Sequence, residues 1–496
     1  MGVMRFIVHP DAMLGEWPEV HRAYLSAVDQ TVWPTRVEFK EGILTCRRHC
    51  SDSGKLHVGW PVPSLGRPVL TTASLPEREQ PYILVVELAR GKIVQVRNQA
   101  ALWQAAGMVL PAEYASTMRD AHSLFGRAAS SQDVLAECSE VAQRALGRAC
   151  DAADVLMRAY TRQRLEARHR QYPNLPTALG CGLGDSIPVD GWKKPFTAAF
   201  NCAVVPIEWR SVEPYESDYR WEAYDAQIDW CQSQGLMING GPLIDLSTRG
   251  LPDWLSQWSH DYWNLQSFIK DFVETAVARY SSRIRLWEVA ARGNSGGALQ
   301  LTEENRLTLV AAILETARKA DEEAQLVVRI DQPWGEYLAR GQHKLSPLQF
   351  ADALIRAGLG VSALNLEVAV GYSPRSSPLR DMLDFSRMID LWSTLGLPLQ
   401  VTLALPSAQT PDLEITTDLE VQPGAWKTSY SEEAQTEWVE NYLPLLLAKP
   451  SVVAVFWSHF ADGQPHRFPH AGLMRPDGTL KPAIERFAAY RKAYWK

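Results

Sequence analysis

Acidic side chains and one histidine follow short apolar runs after about residue 200. They are Glu208, Asp245, Glu288, Asp331, Glu336, Glu367, His459 and Asp462. Hydrolysis of a glycosidic bond needs two carboxyl groups, one as acid and one as nucleophile or base. The sequence carries no G-x-G-x-x-G, phosphate loop or complete metal-ligand motif beside them. These residues therefore favour carbohydrate chemistry without a cofactor or metal ion.

Glu367 stands out because it interrupts the apolar run A-L-N-L-E-V-A-V. A lone charge is costly to bury, so this carboxylate must be paired, hydrogen-bonded or turned toward a polar cleft. A structural salt bridge with Arg292 or Arg329 is the alternative to a role in the cleft. The neighbouring run ends R-I-D, and one residue of that alternating segment, which includes Asp331, is expected to face inward.

The other candidates also have simpler alternatives. Glu336 lies in the loop Q-P-W-G-E-Y, where a solvated position is as plausible as a role in a site. His459 and Asp462 follow A-V-F-W-S, where they would either face the cleft or cap the last turn of the fold.

Tryptophan is abundant, with 18 residues, and flat aromatic faces stack on sugar rings. Core packing is the favoured role for most of them. Trp287, Trp334 and Trp457 lie beside the candidate acids, and we expect these three to form a sugar-binding platform.

Strand-like and helical segments alternate after about residue 185, and they must position these side chains. Seven apolar runs begin near residues 200, 236, 284, 325, 361, 397 and 452, and L-G-C-G-L at 179–183 supplies an eighth. Eight strand–helix units predict a parallel (β/α)8 TIM barrel, whose chemistry lies at the C-terminal ends of the strands. An open doubly wound sheet is the alternative.

The first part of the chain has a different pattern. Residues 1 to about 95 are β-rich, and residues 131–170 predict either one long helix or two helices broken near Gly147. Proline and glycine end this pattern at 172–184. We therefore expect an N-terminal β-rich plus helical domain over 1–175, a candidate for homodimerisation, and the barrel over 176–496.

Charge and composition exclude several classes of partner. A net charge of -7 argues against nucleic acid, and no apolar stretch is long enough to predict a membrane span. The seven cysteines include no C-x-x-C, and the first residues do not resemble a signal peptide. These features predict a cytoplasmic protein whose partner is an oligosaccharide or polysaccharide.

From about residue 196 to 490 the chain resembles family-10 glycoside hydrolases, the β-1,4-xylanase barrels. The resemblance rests on ordered motifs: F-N-C-A-V-V-P-I-E-W-R-S-V-E-P, Y-R-W-E-A-Y-D, R-Y-S-S-R-I-R-L-W-E-V, L-G-L-P-L-Q-V-T and F-W-S-H-F-A-D. It implies the same barrel and a glycosidase site at its mouth.

The resemblance also implies that the usual catalytic pair is missing. The family places its acid/base glutamate where W-E-V-A-A-R has Arg292, and its nucleophile where V-T-L-A-L has Leu403. A guanidinium stays charged at any relevant pH and cannot protonate a leaving group. Trp287 and Trp457 match the family's pattern.

New acids replace other family residues around the same mouth. Glu208 stands for a substrate-binding lysine, Asp245 for a tryptophan and Glu367 for a histidine. A divergent glycoside hydrolase with relocated carboxylates is therefore the first hypothesis. We expect Glu367 as nucleophile or base and Glu336 as acid, with Glu208 and Asp245 as further candidates.

Two alternatives remain open. The barrel would bind a carbohydrate or act as a scaffold without cleaving it, in which case Arg292 suits a uronate, a sulfate or an internal carboxylate. Alternatively, it would catalyse another reaction, such as a lyase step that uses His459.

Overall fold

The computed structural model describes residues 2–10, 17–185, 190–422, 426–427 and 429–495. Parallel strands close into a barrel in the second part of the chain, as predicted. They are β9 (Ala178–Gly182), β10 (Cys202–Val205), β11 (Met237–Gly240), β12 (Ile244–Asp245), β13 (Leu286–Ala291), β14 (Gln325–Asp331), β15 (Val361–Ala369), β17 (Leu399–Ala404) and β19 (Val452–Trp457). Strand β11 pairs with both β10 and β13, which closes the ring. Since β11 and β12 share one position, the barrel has eight strand positions, and the predicted TIM barrel is confirmed.

These strands are apolar along most of their length because they are covered on both faces. Every residue of β17 is buried, and so is every residue of β14 after Gln325. Parallel strands with helices outside and side chains inside are expected to have this near-continuous apolar pattern. A polar residue in such a strand is therefore informative about the barrel interior.

The register of the strands places polar residues of neighbouring strands in the same layers of the barrel. Asp331 on β14 pairs with Glu367 on β15, and Glu367 pairs with Thr402 on β17. Arg329 pairs with Asn365 one layer below. The charged residues therefore lie toward the C-terminal ends of the strands, where the sequence predicts the site.

Helices surround the barrel, and side chains cap the N-termini of several. They are α4 (Asp190–Ala199), α5 (Trp209–Val212), α6 (Glu222–Ser233), α7 (Tyr262–Tyr280), α8 (Glu303–Ala320), α9 (Pro347–Arg356), α10 (Met382–Ser393), α11 (Glu432–Ala448) and α12 (Ala483–Tyr494). Ser346 and Gln349 form a capping box on α9, and Asp381 caps α10. Two short strands, β16 (Tyr372–Ser373) and β18 (Glu420–Val421), pair over the barrel mouth.

The N-terminal region contains two four-stranded sheets followed by three helices. The strands are β1 (Gly2–Ile7), β2 (Tyr24–Ser26), β3 (Val32–Trp33), β4 (Arg36–Lys40), β5 (Ile43–Arg48), β6 (Lys55–Gly59), β7 (Val69–Thr71) and β8 (Tyr82–Ile83). The sheet orders are β4-β5-β1-β8 and β3-β2-β6-β7. The helices are α1 (Leu84–Ala105), α2 (Ala112–Ser130) and α3 (Leu135–Gln171), and α3 continues through Gly147 as a single helix.

Part of the N-terminal region joins the hydrophobic core of the barrel through α3, whereas the N-terminal sheets pack around a separate core. Leu156 and Met157 on α3 lie in the same buried cluster as Trp457 of the barrel, and α3 packs against α10 and α11. Lys92 on α1 forms a buried ion pair with Asp381. The two parts of the chain are thus joined by apolar packing and by at least one buried charge pair.

Among the described residues, no helix is both long enough and apolar enough to cross a membrane.

Candidate active site

A cavity of about 450 Å³ opens at the C-terminal ends of the barrel strands. Its walls come from β9, β10, β12 and β14, from Arg292 directly after β13, and from the loops after β17 and β19. Its lining includes ten titratable side chains: Asp185, Glu208, Asp245, Arg210, Arg249, Arg292, Arg329, His459, His466 and Arg467. This mixture of carboxylates and arginines is the first candidate for a functional site.

Arg292 lies at the centre of the charge network. It follows β13 directly and has φ 59, a left-handed conformation that is uncommon for arginine. The backbone N–H of Arg292 donates to the Arg329 carbonyl (3.0 Å), and the N–H of Gly296 donates to the Arg292 carbonyl (2.8 Å). These bonds hold the turn, and the buried guanidinium lies among carboxylates of neighbouring strands.

The guanidinium of Arg292 binds two carboxylates from different strands. NH1 donates to Asp245 Oδ2 at 2.9 Å, and Nε donates to Glu367 Oε1 at 2.9 Å. NH2 donates to the second oxygen of Glu367, which makes that contact bidentate. Arg292 is therefore held by internal carboxylates, one of the alternatives left open by the sequence.

Arg329 extends the network across the barrel interior. Its NH1 lies 3.2 Å from Glu367 Oε2, and its Nε lies 2.7 Å from Glu288 Oε1. Asn365 donates to the other oxygen of Glu288 at 2.6 Å. Glu367 thus has the structural salt bridges that the sequence leaves open as the alternative to a cleft role.

The arginines keep Asp245 and Glu367 ionised. Burial alone would raise both pKa values, but Arg292 and Arg467 lower the pKa of Asp245 to about 2. Arg292, Arg329 and Arg467 likewise lower the pKa of Glu367. Burial disfavours the charged form of Arg292 too, yet the two carboxylates raise its pKa overall. All three groups carry full charge at neutral pH.

Glu208 differs from Asp245, which the arginines hold ionised. Among the described residues, no side chain forms an ion pair or a hydrogen bond with its carboxylate. Burial raises the pKa of Glu208 to about 7, and the negative charges of Asp245 and Asp185 act in the same direction. Arg292 and Arg467 oppose the shift without cancelling it. Glu208 is therefore the cavity carboxyl that gains and loses a proton near neutral pH.

His459 lines the cavity as a neutral imidazole. Burial and the stacked ring of His466, whose centroid lies 4.4 Å away, lower the pKa of His459 to about 4. Its Nε2 lies 3.1 Å from Asp462 Oδ1, and Lys481 forms an ion pair with the other oxygen of Asp462. Asp462 is thereby turned toward Lys481 and His459 and away from the cavity, whose lining does not include it.

The cluster of His459, Asp462 and His466 has ligand atoms within 4.8 Å of one another, a spacing that a metal ion can bridge. These atoms already have protein partners, however. His466 Nε2 binds Asp412 at 2.9 Å, its Nδ1 binds the Gln464 carbonyl at 2.7 Å, and Asp462 is paired with an ammonium group. The donor set therefore fits a hydrogen-bonded network better than it fits a cation.

Glu336 lies in another part of the barrel mouth. It begins a short 3-10 helix, Glu336–Arg340, and lines a second cavity of about 760 Å³. Its Oε1 accepts a hydrogen bond from Arg380 at 2.9 Å. Burial raises the pKa of Glu336, and Arg380 opposes the shift. Glu336 and Glu367, predicted as a pair, are thus not brought together at one cavity.

The remaining predicted binding residues lie away from the first cavity. Trp287 and Trp457 are fully buried, and Trp457 Nε1 donates to the Ala471 carbonyl at 2.6 Å. Trp334 packs edge-on against Phe385. A stacking platform would need ring faces that the two buried tryptophans do not expose. Asp331 is buried and accepts from Ser295 Oγ at 2.8 Å.

Arg467 is the main residue of the cavity that sequence reasoning did not single out. It lies 10 residues after the end of β19 in an irregular loop, where neither spacing nor an apolar run marks it. Its NH1 contacts Asp245 Oδ2 at 3.3 Å and Ser247 Oγ at 3.1 Å. Arg249 and Asp185, also on loops, were missed for the same reason.

Comparison with known proteins confirms the predicted family resemblance over part of the barrel. Residues 194–329 match the family model described as Glycosyl hydrolase family 10. Endo-1,4-beta-xylanase 3 of Hypocrea jecorina is 30% identical over 126 residues, which are 25% of this chain and 35% of that protein. Endo-1,4-beta-xylanase B of Thermotoga neapolitana is 24% identical over 85 residues, or 17% of this chain and 23% of that protein. The chain spans about a third of the length of the first of these relatives.

Solved structures of family-10 enzymes are also similar to the chain. Native xylanase 10B from Thermotoga maritima has a TM-score of 0.48 at 14% identity, covering 66% of this chain and 99% of the enzyme. The GH10 structure from Paenibacillus barcinonensis has a TM-score of 0.49 at 16% identity, covering 67% and 97% respectively.

Proposed function

We propose that the protein is a glycoside hydrolase that cleaves an oligosaccharide or polysaccharide in the 450 Å³ cavity. The observation that carries the proposal is the pairing of two unlike carboxyl groups at this cavity. Glu208 has a pKa raised to about 7, and Asp245 has a pKa lowered to about 2. Titratable groups whose environments push their pKa values apart are typical of an acid and its ionised partner in glycosidases.

In this proposal Glu208 is the general acid. A catalytic acid works best when its pKa lies near the operating pH, because it is then both protonated and able to release its proton. Glu208 meets this condition without a competing ion pair among the described residues. Arg292 cannot perform this step, since its guanidinium does not release its proton.

Asp245 is the second carboxyl group, acting as nucleophile or base. Arg292 and Arg467 hold it ionised and fix its orientation through contacts of 2.9 and 3.3 Å. Glu367 makes three contacts with Arg292 and Arg329, which suits the positioning of Arg292 better than proton transfer. The predicted pair of Glu367 and Glu336 is therefore replaced in this proposal by Glu208 and Asp245.

The test is product release by Glu208→Gln and Asp245→Asn against a panel of neutral and uronate-bearing oligosaccharides. Xylo-oligosaccharides belong in the panel because the similar proteins are named as xylanases. We expect either substitution to lower kcat/KM by about 100-fold or more, the range ascribed to acid–base groups. Glu222→Gln, an exposed glutamate on α6, is the matched control. Wild-type rates in Glu208→Gln would remove Glu208 from the mechanism.

Binding without cleavage is the second candidate, and one observation favours it. Asp245, Glu288 and Glu367 are each held by arginine, which stabilises their charge and lowers their reactivity. Under this alternative, a ligand from the panel raises the melting temperature of the wild type while no product forms over prolonged incubation. Detection of any product that requires Glu208 decides for the hydrolase.

A further inference from the structure

The second cavity, of about 760 Å³, is built jointly by the N-terminal region and the barrel. The N-terminal 3-10 helix Pro18–Arg22 supplies His21 and Arg22. The barrel supplies the loops after β13 and β14 and the segment around Arg375. The cavity therefore exists only where these two parts of the chain meet, above the C-terminal ends of the barrel strands.

The lining of this cavity is strongly cationic. Among the described residues, it contains Arg22, Arg306, Arg340 and Arg375 but a single carboxylate, Glu336. Residues outside the lining satisfy two of these charges, because Arg380 binds Glu336 and Asp418 binds Arg375. The other three arginines of the lining are Arg22, Arg306 and Arg340.

In the described part of the chain, no carboxylate lies within ion-pair distance of Arg22, Arg306 or Arg340. Neutral groups fix Arg22 instead, since its NH1 donates to Gln422 Oε1 and its NH2 to Ser373 Oγ, both at 2.8 Å. The guanidinium of Arg306 donates its hydrogen bonds mainly to backbone carbonyls, among them that of Gly293 at 2.8 Å. Arg22 is thus oriented but not neutralised, and Arg306 adds positive charge without offering free donors.

Arg340 contributes to the same lining from the barrel side. It ends the 3-10 helix Glu336–Arg340, its side chain is exposed, and it has no hydrogen-bond or ion-pair partner among the described residues. Burial and the positive charge of Arg340 lower the pKa of Arg22, and the charges of Glu19 and Glu336 oppose the shift without cancelling it, so the two guanidinium groups repel each other. An anion placed between two such groups would relieve the repulsion and receive charge-assisted hydrogen bonds.

We propose that this cavity binds an oxyanion group, a carboxylate or a sulfate ester carried by a saccharide, with Arg22 and Arg340 as its direct ligands. The saccharide part of this inference rests on the proposed function, whereas the oxyanion part does not. The anionic substituent of a chain lying across the barrel mouth would be held here, while the bond to be cleaved lies in the first cavity. The N-terminal region thereby acts as the determinant of preference for acidic saccharides.

The first measurement is binding of inorganic sulfate by calorimetry at low ionic strength, with the full chain. We expect saturable binding that weakens as sodium chloride is added, because the attraction is between exposed or half-buried charges. Arg340→Gln should weaken binding roughly tenfold or more, the range for a hydrogen bond to a charged group. Its side chain has no partner among the described residues, so this variant should fold, and Arg22→Gln should show the same loss.

Arg119→Gln is the matched control, since it removes the same charge from an exposed position on α2. Equal sulfate affinity in wild type, Arg340→Gln and Arg119→Gln would overturn the oxyanion site. Competition then separates the sources of the oxyanion. A uronate-bearing oligosaccharide that displaces sulfate, when its neutral counterpart does not, supports the saccharide ligand. Failure of both to displace it overturns that part and leaves an inorganic anion site.

Separate variants test anion binding in the second cavity and hydrolysis in the first. If the protein is a hydrolase, Arg340→Gln raises KM for the acidic substrate, leaves kcat nearly unchanged and does not alter KM for the neutral one. Glu208→Gln lowers kcat and leaves sulfate binding unchanged. Loss of hydrolysis in Glu208→Gln together with an unchanged KM for the acidic substrate in Arg340→Gln would overturn the saccharide ligand and leave the proposed function standing.

Discussion

Replacement of Arg292 by methionine should destabilise the barrel strongly. Methionine has a similar length and no charge, so Asp245 and Glu367 lose three hydrogen bonds but little packing. Asp245 keeps Arg467 at 3.3 Å and Glu367 keeps Arg329 at 3.2 Å, so neither carboxylate is left entirely alone. Removing one partner of a buried ion pair typically costs about 3–5 kcal/mol because the other charge remains buried.

The contribution of Asp245 to this loss of stability follows from the shift in its pKa. A pKa of about 2 against the usual 3.8 corresponds to about 2 kcal/mol of stabilisation by the native surroundings. Because the native pKa is the lower one, this stabilisation is present at neutral pH and is lost as the pH falls from about 4 through about 2. Without Arg292 the pKa values of Asp245 and Glu367 rise, so the deficit of the variant should shrink in mild acid.

Thermal unfolding followed by calorimetry at pH 7.5 and pH 4.5 measures both effects. At about 2 °C per kcal/mol for a barrel of this size, the loss corresponds to a fall in Tm of roughly 6–10 °C at pH 7.5. Arg158→Met is the control, because the pair of Arg158 with Asp154 is exposed on α3 and should change Tm by about 1 °C or less. If the fall in Tm of Arg292→Met equals that of the control, or is larger at pH 4.5 than at pH 7.5, Arg292 does not stabilise the two carboxylates in this way.

Three further outcomes are expected. For the wild type, kcat/KM should fall as the pH rises above about 7, because Glu208 must be protonated to act as the acid; a rate profile that is flat from pH 6 to 9 contradicts this. Gly91→Ala should lower Tm, because a Cβ there would lie 2.1 Å from the Thr71 carbonyl oxygen. At Gly126 a Cβ would meet nothing within 4 Å, so Gly126→Ala should raise the free energy of unfolding by about 0.5–1 kcal/mol. Asp462→Asn should cost about 3–5 kcal/mol in urea unfolding because the buried ammonium of Lys481 loses its counter-charge, and an unchanged midpoint would contradict that pairing.

The barrel could be predicted from the sequence because its strands carry their own signal. Each apolar run coincides with a strand of the structure, and even the weak run at 179–183 overlaps β9, Ala178–Gly182. The order of the runs then determines the order of strands around the ring, since consecutive strand–helix units lie side by side. The break inside the third run, which separates β11 from β12 at Gly241, has no comparable periodic signal.

The partners of the site were harder to predict, because they depend on loops and on side-chain direction. The sequence indicates that Glu367 needs a partner but does not determine that Arg292 turns back through a left-handed residue to reach it. Arg467 arrives from a loop far along the chain, and no period governs its position. The separation of Glu336 from Glu367 likewise follows from the 3-10 helix that begins at Glu336, whose contact with Arg380 draws it toward the second cavity.

The continuous core between α3 and the barrel has a consequence for how this protein can be altered. A glycosidase with a tethered accessory module tolerates exchange of that module, because a linker keeps the two parts independent. Here only residues 172–177 separate α3 from β9, and Leu156 and Met157 belong to the same buried cluster as Trp457. Recombination at this junction would expose apolar faces on both halves, so the two parts cannot be exchanged independently.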